Sequence, residues 1–216
     1  MSLHVCEIFK SLQGESSHAG RPCIFVRLTG CNLRCSWCDT PYAYEGGESL
    51  NTREVLERID ALDCGLAHNL IEFTGGEPLL QPQAVELMNA LARSGRTVLV
   101  ETNGSLDISV LAPEVAAIVD MKGPSSGESG KMDTENLERL REHDEVKFII
   151  AGRADWEHML CLLPRIDTRR NVVNLSPLFG ATPPAELARW MLDAGLDARL
   201  NLQQHKFIWP PEARGV

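Results

Sequence analysis

Three cysteines between positions 31 and 38 restrict this chain more than any other feature. They fall in Cys31-Asn-Leu-Arg-Cys35-Ser-Trp-Cys38-Asp-Thr, a C-x3-C-x2-C spacing that lets the thiols wrap one inorganic cluster. The count is informative, because a closed structural zinc site or an ordinary electron-transfer cluster takes four protein ligands. Three thiolates leave one metal position open for a substrate or cofactor, and an open position points to catalysis. A zinc knuckle completed by His18, Cys23 or His68 is the alternative that spacing alone leaves standing.

The other cysteines, Cys6, Cys23, Cys64 and Cys161, are scattered and the total of seven is odd, so the chain does not read as a secreted disulfide framework. With 216 residues, 44% of them apolar, it can bury the core of one ordinary domain, expected to span residues 1–216. Met1-Ser-Leu-His-Val-Cys-Glu has neither a basic start nor an apolar run. No later apolar stretch approaches the roughly 20 residues that cross a bilayer, which predicts a cytoplasmic protein without a membrane partner. Lys plus Arg number 21 against 30 Asp plus Glu, a formal charge of -9 that disfavours direct binding of nucleic acid.

Strands are predicted at Ile24-Phe-Val-Arg-Leu, Leu70-Ile-Glu-Phe-Thr, Thr97-Val-Leu-Val-Glu-Thr, Ala116-Ala-Ile-Val-Asp, Glu145-Val-Lys-Phe-Ile-Ile and Val172-Val-Asn-Leu-Ser. Thr52 reads as the N-cap of a helix through Leu62, and a second helix runs from Gln83 to Ser94 with Gly95 as its stop. Further helices are expected at 134–143, 155–163 and 183–194. This alternation predicts an α/β fold with a mostly parallel sheet and polar sites at the strands' C-terminal ends. Six strands fit the length, whereas a closed eightfold barrel typically needs about 250 residues. The expectation is therefore a compact, open (β/α)6-type partial barrel, with Gly123-Pro-Ser-Ser-Gly-Glu-Ser-Gly as a mobile loop.

Several polar residues sit where such a sheet places its chemistry. The cysteines begin three residues after Leu28, in a loop at a strand's C-terminal end. In Phe73-Thr-Gly-Gly-Glu-Pro-Leu, the glycines permit close backbone approach to a ligand and Glu77 offers a carboxylate to an ammonium group; the same residues also suit a tight turn capping a helix. Gln13 and Glu15, on either side of Gly14, match the donor and acceptor edge of a pterin. Arg27, between Val26 and Leu28, needs a partner or an anion such as a substrate carboxylate.

The C-x3-C-x-aromatic-C pattern, with Trp37 as the aromatic, resembles the signature of the radical S-adenosylmethionine superfamily. Gly75-Gly76-Glu77 resembles that superfamily's element for the cofactor's amino group. The resemblance implies a 4Fe-4S cluster on Cys31, Cys35 and Cys38, with S-adenosylmethionine chelating the remaining iron.

Ser11-Leu-Gln-Gly-Glu, Phe25-Val-Arg-Leu, Asp120-Met-Lys-Gly-Pro-Ser-Ser-Gly and Gln204-His-Lys-Phe-Ile-Trp carry the resemblance nearly end to end, to the 7-carboxy-7-deazaguanine synthase family. This implies conversion of 6-carboxy-5,6,7,8-tetrahydropterin to 7-carboxy-7-deazaguanine with loss of ammonia, on the path to queuosine, with no catalytic residue beyond the cofactor radical. By the same resemblance Leu12, Gln13, Gly14, Glu15, Arg27, Thr74 and His205 hold the substrate, and Thr40 ligates Mg2+. Ser36, Trp37, Asp39, Gly75, Gly76, Glu77, Lys122, Ser125, Ser176, Pro177, Leu178 and Phe179 contact S-adenosylmethionine. Glu101-Thr-Asn-Gly takes a supporting or cofactor role, and Pro210 to Val216 is assigned none. A one-electron donor such as flavodoxin or ferredoxin and a homodimer complete the expectation. The rivals are an activase with the same cysteine spacing that acts on a protein glycine, and a zinc-stabilised binding module.

Overall fold

Strands buried on both faces read as continuous apolar runs, and those runs organise the fold. The computed structural model describes residues 2–63 and 70–216, so Cys64 and His68, an alternative zinc ligand, lie outside the described residues. β1 (Ser2–Leu12) pairs antiparallel with β2 (Pro22–Leu28), setting Glu7 opposite Arg27, and β3 (Glu48–Asn51) pairs antiparallel with the start of β1. From β2 onward every pairing is parallel, through β4 (Leu70–Gly75), β5 (Thr97–Thr102), β6 (Val115–Asp120), β7 (Glu145–Ile150), β8 (Val172–Pro177) and the short β9 (Arg199–Leu200). The order β3-β1-β2-β4-β5-β6-β7-β8-β9 leaves β3 and β9 as separate edges, so the barrel stays open.

Period-two alternation gives the sheet two different faces. Ile71, Phe73, Val98, Val100, Ala117, Val119, Val146 and Phe148 join one large core with residues of α1 (Thr52–Leu62), α2 (Pro82–Arg93), α4 (Arg153–Leu162) and α5 (Pro184–Ala194). On the opposite face Cys23, Phe25, Leu70, Leu99 and Ile118 form a small apolar plug. One step further along the same strands stand Arg27, Glu72, Glu101 and Asp120, joined by Lys147 of the neighbouring β7. The interior is thus closed at the bottom by apolar packing and lined by charge toward the strands' C-terminal ends.

The six expected strands are present; β1, β3 and β9 are additional. Most of β1 is only partly buried and β3 is four polar-rich residues, so pairing rather than apolarity recruits them. Asn51, not Thr52, caps α1: its side chain accepts the Glu54 N–H while the Glu54 carboxylate accepts the Asn51 N–H. The helix expected at 134–143 shrinks to α3 (Asn136–Arg139), because Arg141 turns back to pair with Asp144 at 2.8 Å and to donate to the carbonyls of Ala112 and Val115. The loop expected to be mobile instead makes two 3-10 turns, with Ser126 buried and its carbonyl accepting the Ser36 N–H. Among the described residues no helix is long and apolar enough to cross a membrane.

Candidate active site

The C-terminal ends of β2 and β4 to β8 surround a cavity of about 520 Å3. The loop after β2 brings Cys31, Cys35 and Cys38 to its wall as free thiols. Their loop is held from outside: Gly30 N–H donates to Ala43 O, Arg34 N–H to Glu128 Oε1 at 2.8 Å, and Ser36 N–H to Ser126 O. Leu33 N–H points at Cys31 Sγ from 3.4 Å and Asn103 Nδ2 from 3.7 Å. Hydrogen bonds directed at cluster sulfur are one of the protein's means of tuning such a group, so this arrangement suits an iron–sulfur cluster. The alternative zinc ligands are engaged elsewhere, since His18 contacts Arg21 at 2.7 Å and Cys23 sits in the apolar plug.

Gly75 and Gly76 press directly on this loop. Gly75 has φ +120°, and a Cβ there would overlap the backbone of Leu28; at Gly76 it would overlap the Gly30 carbonyl. Gly76 N–H donates to Leu28 O at 3.0 Å and Glu77 N–H to Gly30 O at 2.7 Å. Both glycines line the cavity, but Glu77 does not. Its carboxylate is fully buried and accepts from Thr102 Oγ1, Asn103 N–H and Leu79 N–H, which corrects its expected role as an open acceptor for the cofactor's ammonium group. Ser36 and Ser125 are likewise absent from the wall: Ser36 Oγ donates to the Ser125 carbonyl, and Ser125 Oγ accepts from Trp37 Nε1 at 3.1 Å. They hold Trp37 rather than facing the cavity.

The remaining expected cofactor contacts do line it. Lys122 pairs with Asp120 at 2.6 Å and stands 5.2 Å from the Trp37 ring. Ser176, Pro177, Leu178 and Phe179 form the opposite rim, at and beyond the end of β8. Asp39 accepts from Lys206 at 2.8 Å and from the Thr40 hydroxyl at 3.0 Å. Burial would raise the Asp39 carboxyl, but the Lys206 ammonium holds it far below the usual range.

All expected substrate residues line the same cavity. Leu12, Gly14, Thr74 and His205 are on the wall. Gly14 is glycine because His205, at the start of α6 (His205–Ile208), packs where a Cβ would be. Burial pulls the His205 imidazole toward its neutral form, against the nearby Glu15. Gln13 donates its amide to Glu72, and Glu15 accepts from Gln203 at 2.7 Å and from Lys147 at 2.8 Å. Arg27 has an internal partner, Glu7 at 2.7 Å, and lies 5.6 Å and 5.9 Å from the Phe9 and Tyr42 rings. Its guanidinium has five N–H donors, so one carboxylate does not saturate it.

Glu72, Asp120 and Lys147 were missed as wall residues. A signal existed, for each is a charge inside an apolar strand, the argument that singled out Arg27. Tyr42, Gln203, Lys206, Pro211, Glu212, Ala213, Gly215 and Val216 also reach the wall, and no local pattern marks them.

Residues 25–123 match the model of the radical SAM superfamily. A 7-carboxy-7-deazaguanine synthase of Koribacter versatilis is 44% identical, across 99% of this chain and 100% of its own length. This chain belongs to the 7-carboxy-7-deazaguanine synthase family. The synthase of Chlorobaculum tepidum is 42% identical over 99% of this chain and 97% of its own. The crystal structure of QueE from Escherichia coli superposes with a TM-score of 0.77 at 26% identity, covering 95% of each chain. As a 7-carboxy-7-deazaguanine synthase family member, the chain is a radical S-adenosylmethionine enzyme whose cofactors are a 4Fe-4S cluster and S-adenosylmethionine. The three thiols and the sulfur-directed donors fit that cluster, and the activase and zinc-module alternatives fall away.

Proposed function

We propose that this chain converts 6-carboxy-5,6,7,8-tetrahydropterin to 7-carboxy-7-deazaguanine with loss of ammonia, on the route to queuosine. The observation that carries the reading is one cavity whose wall includes three free cysteines together with Arg27, Gln13 and Glu15. When bound, the cluster and S-adenosylmethionine would supply radical hydrogen-abstraction chemistry. The chain's own work is to position the reactants and exclude water.

Cys31, Cys35 and Cys38 hold the cluster, with Leu33 and Asn103 directed at Cys31. Trp37, Asp39, Gly75, Gly76, Lys122 and the Ser176-Pro-Leu-Phe rim receive S-adenosylmethionine. Arg27 takes the substrate carboxylate with the donors that Glu7 leaves over, while Leu12, Gln13, Gly14, Glu15, Thr74 and His205 frame the ring. Thr40 joins a Mg2+ ion that keeps waters and borrows substrate oxygens, as this ion usually does. A flavodoxin or ferredoxin delivers the electron, and the chain works as a homodimer in the cytoplasm.

The test is anaerobic incubation of reconstituted, reduced protein with S-adenosylmethionine, Mg2+ and the carboxypterin. Mass spectrometry should find 7-carboxy-7-deazaguanine. Cleavage of S-adenosylmethionine without that product would overturn the substrate assignment.

A further inference from the structure

Lys147 lies in the middle of β7 with only 4% of its side chain exposed, and its ammonium is where the carboxylates of several elements meet. Nζ stands 2.8 Å from Glu15, in the turn after β1, and 3.6 Å from Asp120 of β6, and it also bonds Glu101 of β5. The other charges facing the group are Glu72 of β4, Lys122 paired with Asp120, Arg27 paired with Glu7, Asp39 paired with Lys206, and His205 of α6. Burial alone would strip the proton from such a lysine; Glu101, Glu15 and Asp120 instead keep it charged.

Buried ion clusters are weak devices for stability, because apolar residues of similar volume do as well or better. Here the apolar solution is already in use one step down β2, β4, β5 and β6, in the plug of Phe25, Leu70, Leu99 and Ile118, although β7 itself carries Glu145 at that level. The charged layer lies on the cavity wall, where Glu15, Glu101 and Lys147 are all reachable by a ligand. Burial would raise Glu15, but Lys147, together with Gln203, holds its carboxyl below the usual range; burial, with Glu15 and Asp120, raises Glu101 in spite of Lys147, and Glu72, with no cation at bonding distance, is pushed well above the usual range by burial and by Glu101 and Glu15.

We infer that Lys147 is a positioning residue for the substrate: its ammonium fixes Glu15 and Glu101 as oriented acceptors for the N–H groups along a pterin edge. The inference rests on the proposed pterin substrate. Lys147 touches no reacting atom; it acts through the two carboxylates.

The experiment measures binding of 6-carboxypterin, an unreactive aromatic analogue, to reconstituted protein carrying S-adenosylmethionine. Lys147→Met should weaken it about 100-fold near pH 7, since one of two uncompensated neighbouring carboxyls then holds a proton. Binding by the variant should tighten as the pH is raised to about 9, while Lys147→Arg keeps the unvaried profile. In turnover, KM should rise more than kcat falls. Analogue affinity within about twofold of the parent protein, flat with pH, would overturn the inference.

Should Lys147→Met fail to fold, the parent protein still decides the matter. In 13C NMR of glutamate-labelled protein, the resonance lost in Glu15→Gln should titrate below the ordinary glutamate value of about 4.3, and titration above it overturns the inference. Product formation by the parent enzyme is scored separately. If no carboxypterin is converted, the substrate reading fails, whatever Glu15 does.

Discussion

Glu77 accepts the backbone N–H of Asn103 at 2.6 Å, so one buried carboxylate fastens the turn after β4 to the turn after β5. Thr102 Oγ1 and Leu79 N–H donate to the same group. Glu77→Ala leaves three buried donors without their acceptor and should cost about 2–4 kcal/mol of stability. Calorimetry should record the lowered Tm, and equilibrium dialysis a weaker hold on S-adenosylmethionine. An unchanged Tm would show that the tie is redundant.

A methyl group at Gly76 has nowhere to go, because the Gly30 carbonyl occupies its place. Gly76→Ala should therefore push the cysteine loop away, lowering bound iron and S-adenosylmethionine affinity at least about tenfold while far-ultraviolet circular dichroism stays native. Gly130→Ala, where nothing lies within 4 Å, is the control expected to change neither. Full iron loading in Gly76→Ala would refute the backbone-contact argument.

Arg27 is oriented by Glu7 and by the Phe9 and Tyr42 rings, so its planar fork arrives prealigned. Arg27→Lys retains the charge and loses the fork. It should raise KM for the carboxypterin about 10- to 100-fold and leave S-adenosylmethionine cleavage running uncoupled from product. Equal losses in both reactions would place Arg27 with the cofactor instead.

Tyr42 supplies a dependence on alkaline pH. Burial, opposed by Arg27 and helped by Glu7, pushes its phenol up to about 12. The native state therefore keeps a proton that the unfolded chain releases near pH 10. This contribution to stability is fully present below about pH 10 and is lost as the pH rises through the folded value. Tyr42→Phe should flatten the denaturant-measured decline in that window; an identical decline in both proteins would remove Tyr42 as its source.

The parallel core was legible because Leu70-Ile-Glu-Phe-Thr and its counterparts are buried on both faces and carry mostly apolar runs, interrupted by single charges such as Glu72. β3 escaped because Glu48-Ser-Leu-Asn has no pattern of its own and exists by pairing with β1. The cysteines and glycines were legible because backbone constraint and metal chemistry are local. Glu77 was misread for a related reason: sequence shows a carboxylate beside glycines, not the Thr102 and Asn103 donors some 25 residues away that consume it. Lys147 shows in the sequence only as a charge inside an apolar strand; the three separated carboxylates that meet it appear only in space.

The wall of the cavity is drawn from two parts of the chain. The cysteines, Gly75, Gly76 and Lys122 fall within the 25–123 stretch shared with the wider superfamily, and so do Arg27 and Thr74, whereas Leu12 to Glu15, Ser176 to Phe179, Gln203, His205 and residues 211–213, 215 and 216 come from outside it. The cysteine loop is thus internal to the shared stretch, while most of the frame for the substrate ring is supplied by the two terminal segments. Drift in those segments can reshape the frame while the cysteine loop keeps its sequence, a modular arrangement through which one scaffold can acquire new substrates.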